Sequence, residues 1–158
     1  MLTRRHLPLL GIAGLLAATT AACTPAPEPT LGLQRDGSGY AVVVPLCPKG
    51  SVNTVSVSTK IDGRLLSWDV HSGPTPDRTD RFPLFTTPTG WTARESTLTA
   101  LAPDTTYYVY AYAQENTKDS DLSFTLADLQ SLPDDEVLTL KGAHVKAPKF
   151  RSTALKLC

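Results

Sequence analysis

Short apolar runs separated by turn residues make up most of the chain from Gly39 onward. In many runs apolar and polar side chains alternate, as they do in a strand with one buried face. Turns such as Asp62-Gly63 and Thr89-Gly90 separate the runs, and no long helical period appears. The pattern predicts seven strands, at 42–44, 52–57, 65–70, 96–101, 107–113, 122–126 and 137–140. It therefore favours an all-β antiparallel sandwich, with room for a short helical turn near 126–132 or at the C-terminus.

The first 22 residues follow a different pattern. Basic Arg4 and Arg5 precede an apolar stretch at 7–16, and small residues follow it. These are the three parts of a secretory signal peptide. A membrane-spanning helix is the competing interpretation, but it needs about 20 apolar residues. We therefore predict a cleaved signal over residues 1–22.

The signal ends in Ala21-Ala22-Cys23, which resembles the lipobox of bacterial lipoproteins. The resemblance implies cleavage before Cys23 and a diacylglycerol on its sulfur, which would anchor the protein to the extracytoplasmic face of the cell membrane. Thr20 stands where the family usually has Leu, and ordinary signal peptidase could instead release a free protein with an unmodified thiol. Residues 23–38 would then form the lipidated cysteine and a Pro-rich tether.

The export route has two interpretations. The stretch Thr3-Arg4-Arg5-His6-Leu7 resembles the twin-arginine signal, which implies export of an already folded domain. A general-secretion signal in which the two arginines only orient the segment by charge explains the same residues equally well.

Composition excludes several kinds of partner. The chain has 15 basic and 15 acidic residues, and removal of the signal takes away two arginines, so the remainder is mildly acidic. Nucleic-acid binding needs a concentrated basic face, so we expect no nucleic-acid partner. Residues 39–158 fit one domain. No further apolar run is long enough to span a membrane, so attachment would rest on the acyl chains.

Two cysteines remain beside the lipobox cysteine, Cys47 and Cys158. Disulfides persist outside the cytoplasm, and we predict that these two pair, the alternative being two separate buried thiols. His71 and His144 show no ligand spacing with them, so we expect neither a zinc site nor a cofactor.

The segment Leu101-Ala102-Pro103-Asp104-Thr105-Thr106-Tyr107 resembles the corner before strand F of fibronectin type III domains, whose pattern is Leu-x-Pro-x-Thr-x-Tyr. The resemblance implies an immunoglobulin-like sandwich in which the Tyr107 hydroxyl bonds to upstream backbone while its ring packs into the core. Trp68 would be a core residue of strand C. The chain is also similar to small uncharacterised lipoproteins of actinobacteria. Neither likeness assigns an activity.

Four of the five tyrosines of the chain lie within residues 107–112. Alternation along a strand sends Tyr108, Tyr110 and Tyr112 to the face opposite Tyr107. If exposed, these three rings would form a candidate surface for binding a protein or a glycan. The alternative is that residues C-terminal to the last sandwich strand cover them.

A second candidate surface lies in the proline-containing link between the strands at 65–70 and 96–101. Phe82, Phe85 and Trp91 are its aromatic residues. They would form either an exposed binding ridge or a loop packed under its own apolar side chains.

Candidate catalytic chemistry is sparse. Ser67, His71 and Ser72 lie in or beside one predicted strand, where a nucleophile and a base could meet. The chain has no Gly-x-Ser-x-Gly elbow, phosphate loop, His-Glu-x-x-His pair or Rossmann glycines. We therefore predict a non-catalytic binding or scaffold module of the cell envelope, with an envelope protein or glycan as its partner. A structural accessory subunit and a small hydrolase built around His71 are the alternatives.

Overall fold

Two five-stranded antiparallel sheets form the fold. The computed structural model describes residues 31–48, 50–76, 78–113, 120–140 and 142–156. In chain order the elements are β1 (Gly32–Asp36), β2 (Gly39–Val43), β3 (Val52–Ile61), β4 (Arg64–Ser72), β5 (Arg81–Pro83), β6 (Trp91–Ser96), β7 (Thr106–Ala113), β8 (Ser120–Thr125), α1 (Leu126–Gln130), β9 (Glu136–Thr139), β10 (His144–Lys146) and α2 (Ala147–Leu155). The first sheet has the order β10-β9-β1-β2-β5 and the second β6-β4-β3-β7-β8.

The hydrophobic core lies between the two sheets. In β3 and β7 alternate residues are buried, among them Val55, Val57 and Val109, while their neighbours in sequence face outward. Phe82 of the first sheet and Phe124 of the second belong to the same buried cluster. Each large apolar side chain removed from water stabilises the fold by roughly 1.5–3 kcal/mol. The predicted all-β sandwich is thus confirmed.

The predicted tyrosine corner is present. Tyr107 is fully buried and stacks on Phe124, with ring centroids 5.5 Å apart. The backbone N–H of Ala102 donates to the Tyr107 hydroxyl oxygen at 2.6 Å. This bond ties the link before β7 to the core, because the ring that carries the hydroxyl is held inside it.

The first sheet begins earlier in the chain than we predicted. Residues 32–36 were expected in the tether and instead form β1, which pairs with β2 and β9. Leu31 and Leu33 are fully buried. A run with two apolar residues next to a Pro-rich segment gives a weak strand signal, and the pairing on both sides of β1 decides its conformation.

The bounds of one other strand are corrected. The strand expected at 96–101 lies instead at Trp91–Ser96, and Leu98 is buried from the link that follows, where its N–H donates to the Ser67 carbonyl at 2.9 Å. Trp68 is buried as predicted, and it lies on β4.

Both helical turns that the sequence allowed are present. In α1, a capping box joins Thr125 and Asp128, and each side chain bonds the other's backbone N–H. The longer α2 packs on the outer side of the first sheet, where Phe150, Val137 and Val43 form a second buried cluster. The C-terminal part of the chain therefore covers one sheet of the sandwich.

The predicted signal and Cys23 lie outside the described residues, as does Cys158. The cleaved signal, the lipidation and the Cys47–Cys158 pairing therefore stay predictions. Within the described ranges, no helix is both long and apolar enough to cross a membrane.

Candidate functional site: the tyrosine face

A column of tyrosines runs along the outer side of β7. Tyr108 and Tyr112 keep 44% and 40% of their surface exposed, and Tyr110 between them is half-buried. The rings of Tyr110 and Tyr112 are stacked, with centroids 6.5 Å apart and an interplanar angle of 30°. We call the outer side of the second sheet around these three residues the tyrosine face.

The described C-terminal residues, 142–156, do not cover the tyrosine face. β9, β10 and α2 pack with the first sheet, and Leu129 and Leu132 are buried in the core between the sheets. In the described part of the chain, the main packing partners of β7 are its two neighbours in the sheet, β3 and β8. The sequence left open whether Tyr108, Tyr110 and Tyr112 are exposed or covered by C-terminal residues, and the structure has the exposed alternative.

Small hydroxyl side chains lie beside the tyrosines. The outward residues of β3 stand between those of β7 and β4, and the sheet register gives the rows Tyr112–Thr54–His71, Tyr110–Ser56–Asp69 and Tyr108–Ser58–Ser67. Neighbouring strands are about 4.8 Å apart, and outward residues repeat every ~7 Å along a strand. The short β3 side chains therefore form the floor of a shallow trough bounded on one side by tyrosine rings.

Hydrogen bonds fix the polar groups of the trough. Thr54 Oγ1 and His71 Nδ1 are 2.9 Å apart, and Ser67 Oγ donates to Asp69 Oδ2 at 2.8 Å. The serine hydroxyl is thus bonded to a carboxylate, and the imidazole is bonded to a threonine. Ser67 and His71 lie four residues apart on β4 and both belong to this face. The serine bonds to Asp69 and the imidazole to Thr54, so neither bond joins the two residues as nucleophile and base.

The middle tyrosine remains protonated at neutral pH. Burial, with smaller contributions from Asp121 and Tyr108, raises the pKa of Tyr110 above its ordinary value. Asp121 lies opposite Tyr110 in the register of β7 and β8. A protonated phenol can both donate and accept a hydrogen bond, so the Tyr110 hydroxyl can bond with either kind of polar group on a partner.

Of the two alternatives for the second candidate surface, the structure has the loop packed under its own apolar side chains. Phe82 is fully buried, Trp91 is 9% exposed and Phe85 is packed against the core. The rings of Phe82 and Trp91 meet edge to face at 4.8 Å. Phe82 is drawn inward because β5 pairs with β2, and only the small exposed part of Trp91 and Phe85 can meet a ligand.

One exposed apolar residue of this face was missed by the sequence analysis. Leu65 on β4 is 67% exposed and lies opposite Lys60 of β3. The sequence signal for this residue was the adjacent pair Leu65-Leu66, because consecutive strand residues point to opposite faces and one of the two must face outward.

Among the described residues, no group of three or more His, Cys, Asp or Glu is placed to hold a metal ion.

No protein-family model, no curated protein and no solved structure matches this chain. The candidate site therefore rests on the geometry of the tyrosine face and on the chemistry of the residues that form it.

Proposed function

We propose that this protein is a non-catalytic binding module of the cell envelope, lipid-anchored on the extracytoplasmic side of the membrane, which engages its partner through the tyrosine face. One observation carries the proposal. The chain covers the outer side of its first sheet with α2, whereas Tyr108 and Tyr112 on the second sheet remain exposed.

The chemistry of tyrosine suits recognition. Each ring supplies a rigid apolar area, loses little conformational entropy on binding and ends in a hydroxyl that can bond to a polar partner. Tyrosine is enriched in the central, energetically important parts of interfaces. Leu65 adds aliphatic surface on the same face. Exposed apolar surface that is gathered on one face marks an interaction site more often than scattered residues do.

The place of the tether supports the anchored arrangement. Gly32 begins β1 and pairs with Val43, so the chain enters the sandwich at one end of the strands. Residues 24–30 contain three prolines, a composition typical of a spacer. A face that runs along the strands then points sideways from the tether, where a neighbouring protein or glycan can reach it.

The test is a crosslinking pull-down from membranes with the native lipidated protein and a triple variant, Tyr108→Ser, Tyr110→Ser and Tyr112→Ser. We expect the variant to lose its partner while its thermal melting temperature stays close to that of the wild type, because the rings face solvent. A matched control, Leu140→Ser with Leu155→Ser, removes two side chains that are each 41% exposed elsewhere in the molecule, and it should keep the partner.

The alternatives give different results. If a partner is captured equally by the wild type and the triple variant, the protein docks through another surface and the tyrosine face is not the binding site. A triple variant that unfolds would show that the rings are structural, and the proposal would fail. A hydrolase built around His71 would lose turnover of its substrate in His71→Ala while the tyrosine variant retained it.

A further inference from the structure

A cleft of about 270 Å³ opens between the link from β2 to β3 and the link from β4 to β5. Its lining is mostly apolar and includes Leu46, Val52, Pro76 and Trp91. Trp91, which is 9% exposed, contributes to this lining. The described lining contains no tyrosine, so this cleft is separate from the tyrosine face.

One charged side chain belongs to the described lining, Arg78. Its Nη1 donates to the Pro48 carbonyl at 3.1 Å and its Nη2 to the Cys47 carbonyl at 2.6 Å. These bonds hold the guanidinium across the two links and leave other N–H groups of this five-donor side chain available. Among the described residues, no carboxylate forms an ion pair with Arg78.

We propose that this cleft binds a small monoanion with an apolar body, such as an aromatic carboxylate, whose charge meets Arg78 and whose ring lies against Trp91. A guanidinium matches the two oxygens of a carboxylate, and such charge-assisted bonds are roughly twice as strong as neutral ones. A volume of about 270 Å³ lies near the lower end of the range for small-molecule sites, roughly 300–1,000 Å³. This volume suits a single ring with one charged group and is too small for a lipid or a folded peptide.

The test compares three probes of the same shape and different charge: benzoate, the neutral benzamide and the cationic benzamidine. Titration of the full-length protein is followed by NMR at the indole N–H of Trp91. We expect benzoate to bind with a Kd of about 1 mM, at least about tenfold more tightly than benzamide, and benzamidine not to bind. We expect the anionic probe to bind best because Arg78 is the one cationic side chain among the described lining residues.

Variants separate a ligand-binding arginine from a purely structural one. Arg78→Gln keeps an amide that can donate to the two backbone carbonyls, and it should bind benzoate no better than benzamide. Arg78→Lys should keep part of the preference. The control is Arg94→Gln, which changes an exposed arginine on β6 and should leave all three affinities unchanged.

Three results would overturn the proposal: equal affinities for benzoate and benzamide, an unchanged preference in a folded Arg78→Gln protein, or shifts that map away from Trp91. Lys49 and Asp77 adjoin the lining in sequence and lie outside the described residues. If Arg78→Gln does not fold, the comparison of the three probes on the wild type decides by itself. Benzoate binding should persist in the triple tyrosine variant, so this proposal and the proposed function can fail separately.

Discussion

At the scale of single residues, Gly32 shows how closely β1 approaches the neighbouring strand β9. A Cβ atom added there would collide with Val137 Cγ1, and it would lie 2.7 Å from the Leu138 carbonyl oxygen and 3.4 Å from Phe150 Cζ. The first two approaches are well inside van der Waals contact, and one of them involves backbone that cannot rotate away. Only glycine fits at this position of β1 beside β9.

We predict that Gly32→Ala destabilises the protein by about 1–3 kcal/mol, the usual effect of forcing a methyl group into a packed core. Urea unfolding followed by tryptophan fluorescence measures it. The matched control is Gly39→Ala in β2, where the nearest atom to an added Cβ is the Asp36 carbonyl oxygen at 3.7 Å. A Gly32→Ala protein as stable as the Gly39→Ala protein would mean that β1 and β9 do not approach each other this closely in solution.

At the scale of elements, the hairpin of β9 and β10 carries a group of exposed charges. Lys146 Nζ lies 2.7 Å from Asp135 Oδ2 and 3.2 Å from Glu136 Oε1. The hydrogen bond from Lys146 lowers the pKa of Asp135, and the hydrogen bonds to Asp135 and Glu136 raise the pKa of Lys146. Ion pairing in the folded state thus favours the charged form of both partners.

The signs of these shifts predict a pH window. Because the pKa of Asp135 is lowered on folding, its contribution to the free energy of unfolding is present above the unfolded pKa, about 3.9, and is lost as pH falls through the folded value. Because the pKa of Lys146 is raised, its contribution is present below about 10.4 and is lost as pH rises through the folded value. Both contributions should be present between these limits.

We therefore expect Lys146→Met to be slightly less stable than the wild type between about pH 5 and 9, with the difference shrinking in acid and in strong base. Denaturant unfolding across that range tests it. The effect should be small and should weaken in added salt, because the pair is exposed to solvent. Lys60→Met on β3 is the control for removal of an exposed lysine. A difference that grows as pH falls below 4 would contradict the assignment.

The errors in element prediction have a common cause. Leu98 and Leu101 come close together in sequence, as they would in a strand, but they bury their side chains from a link that crosses the end of the sandwich. β1 has only Leu33 as an apolar residue facing the core within its bounds, and its pairing with β2 and β9 defines it. Burial and pairing come from distant parts of the chain, which local alternation does not report.

At the scale of the whole molecule, the C-terminal helix is held on the first sheet by an apolar cluster and an ion pair. Phe150 is buried there, and Arg151 forms an ion pair with Asp80. The N–H of Val44 donates to the Asp80 carbonyl, so Asp80 lies beside the end of β2. Its partner Arg151 is therefore close to the segment through which the chain continues to Cys47. A covalent bond from the last residues to this region would fasten the helix.

We predict a disulfide between Cys47 and Cys158, to be checked by peptide mapping without reduction. In the chain-entropy model, closing a loop of about 112 residues stabilises the fold by at most about 4–5 kcal/mol. Cys158→Ser should therefore lower the melting temperature of the oxidised protein, with Ser152→Ala on the exposed side of α2 as the control. Two titratable thiols in the native protein, or identical melts with and without reductant, would contradict the pairing.

The amino-acid sequence by itself determined the all-β class, the tyrosine corner at Tyr107 and the direction of Tyr108, Tyr110 and Tyr112, because side-chain alternation and turn chemistry act over a few residues. Only the tertiary structure decided that the C-terminal residues cover the first sheet, that the tyrosine face stays exposed and that Phe82 is buried. These outcomes depend on which strands pair across long stretches of chain. The cleft beside Arg78 likewise forms only where two distant links meet at one end of the sandwich.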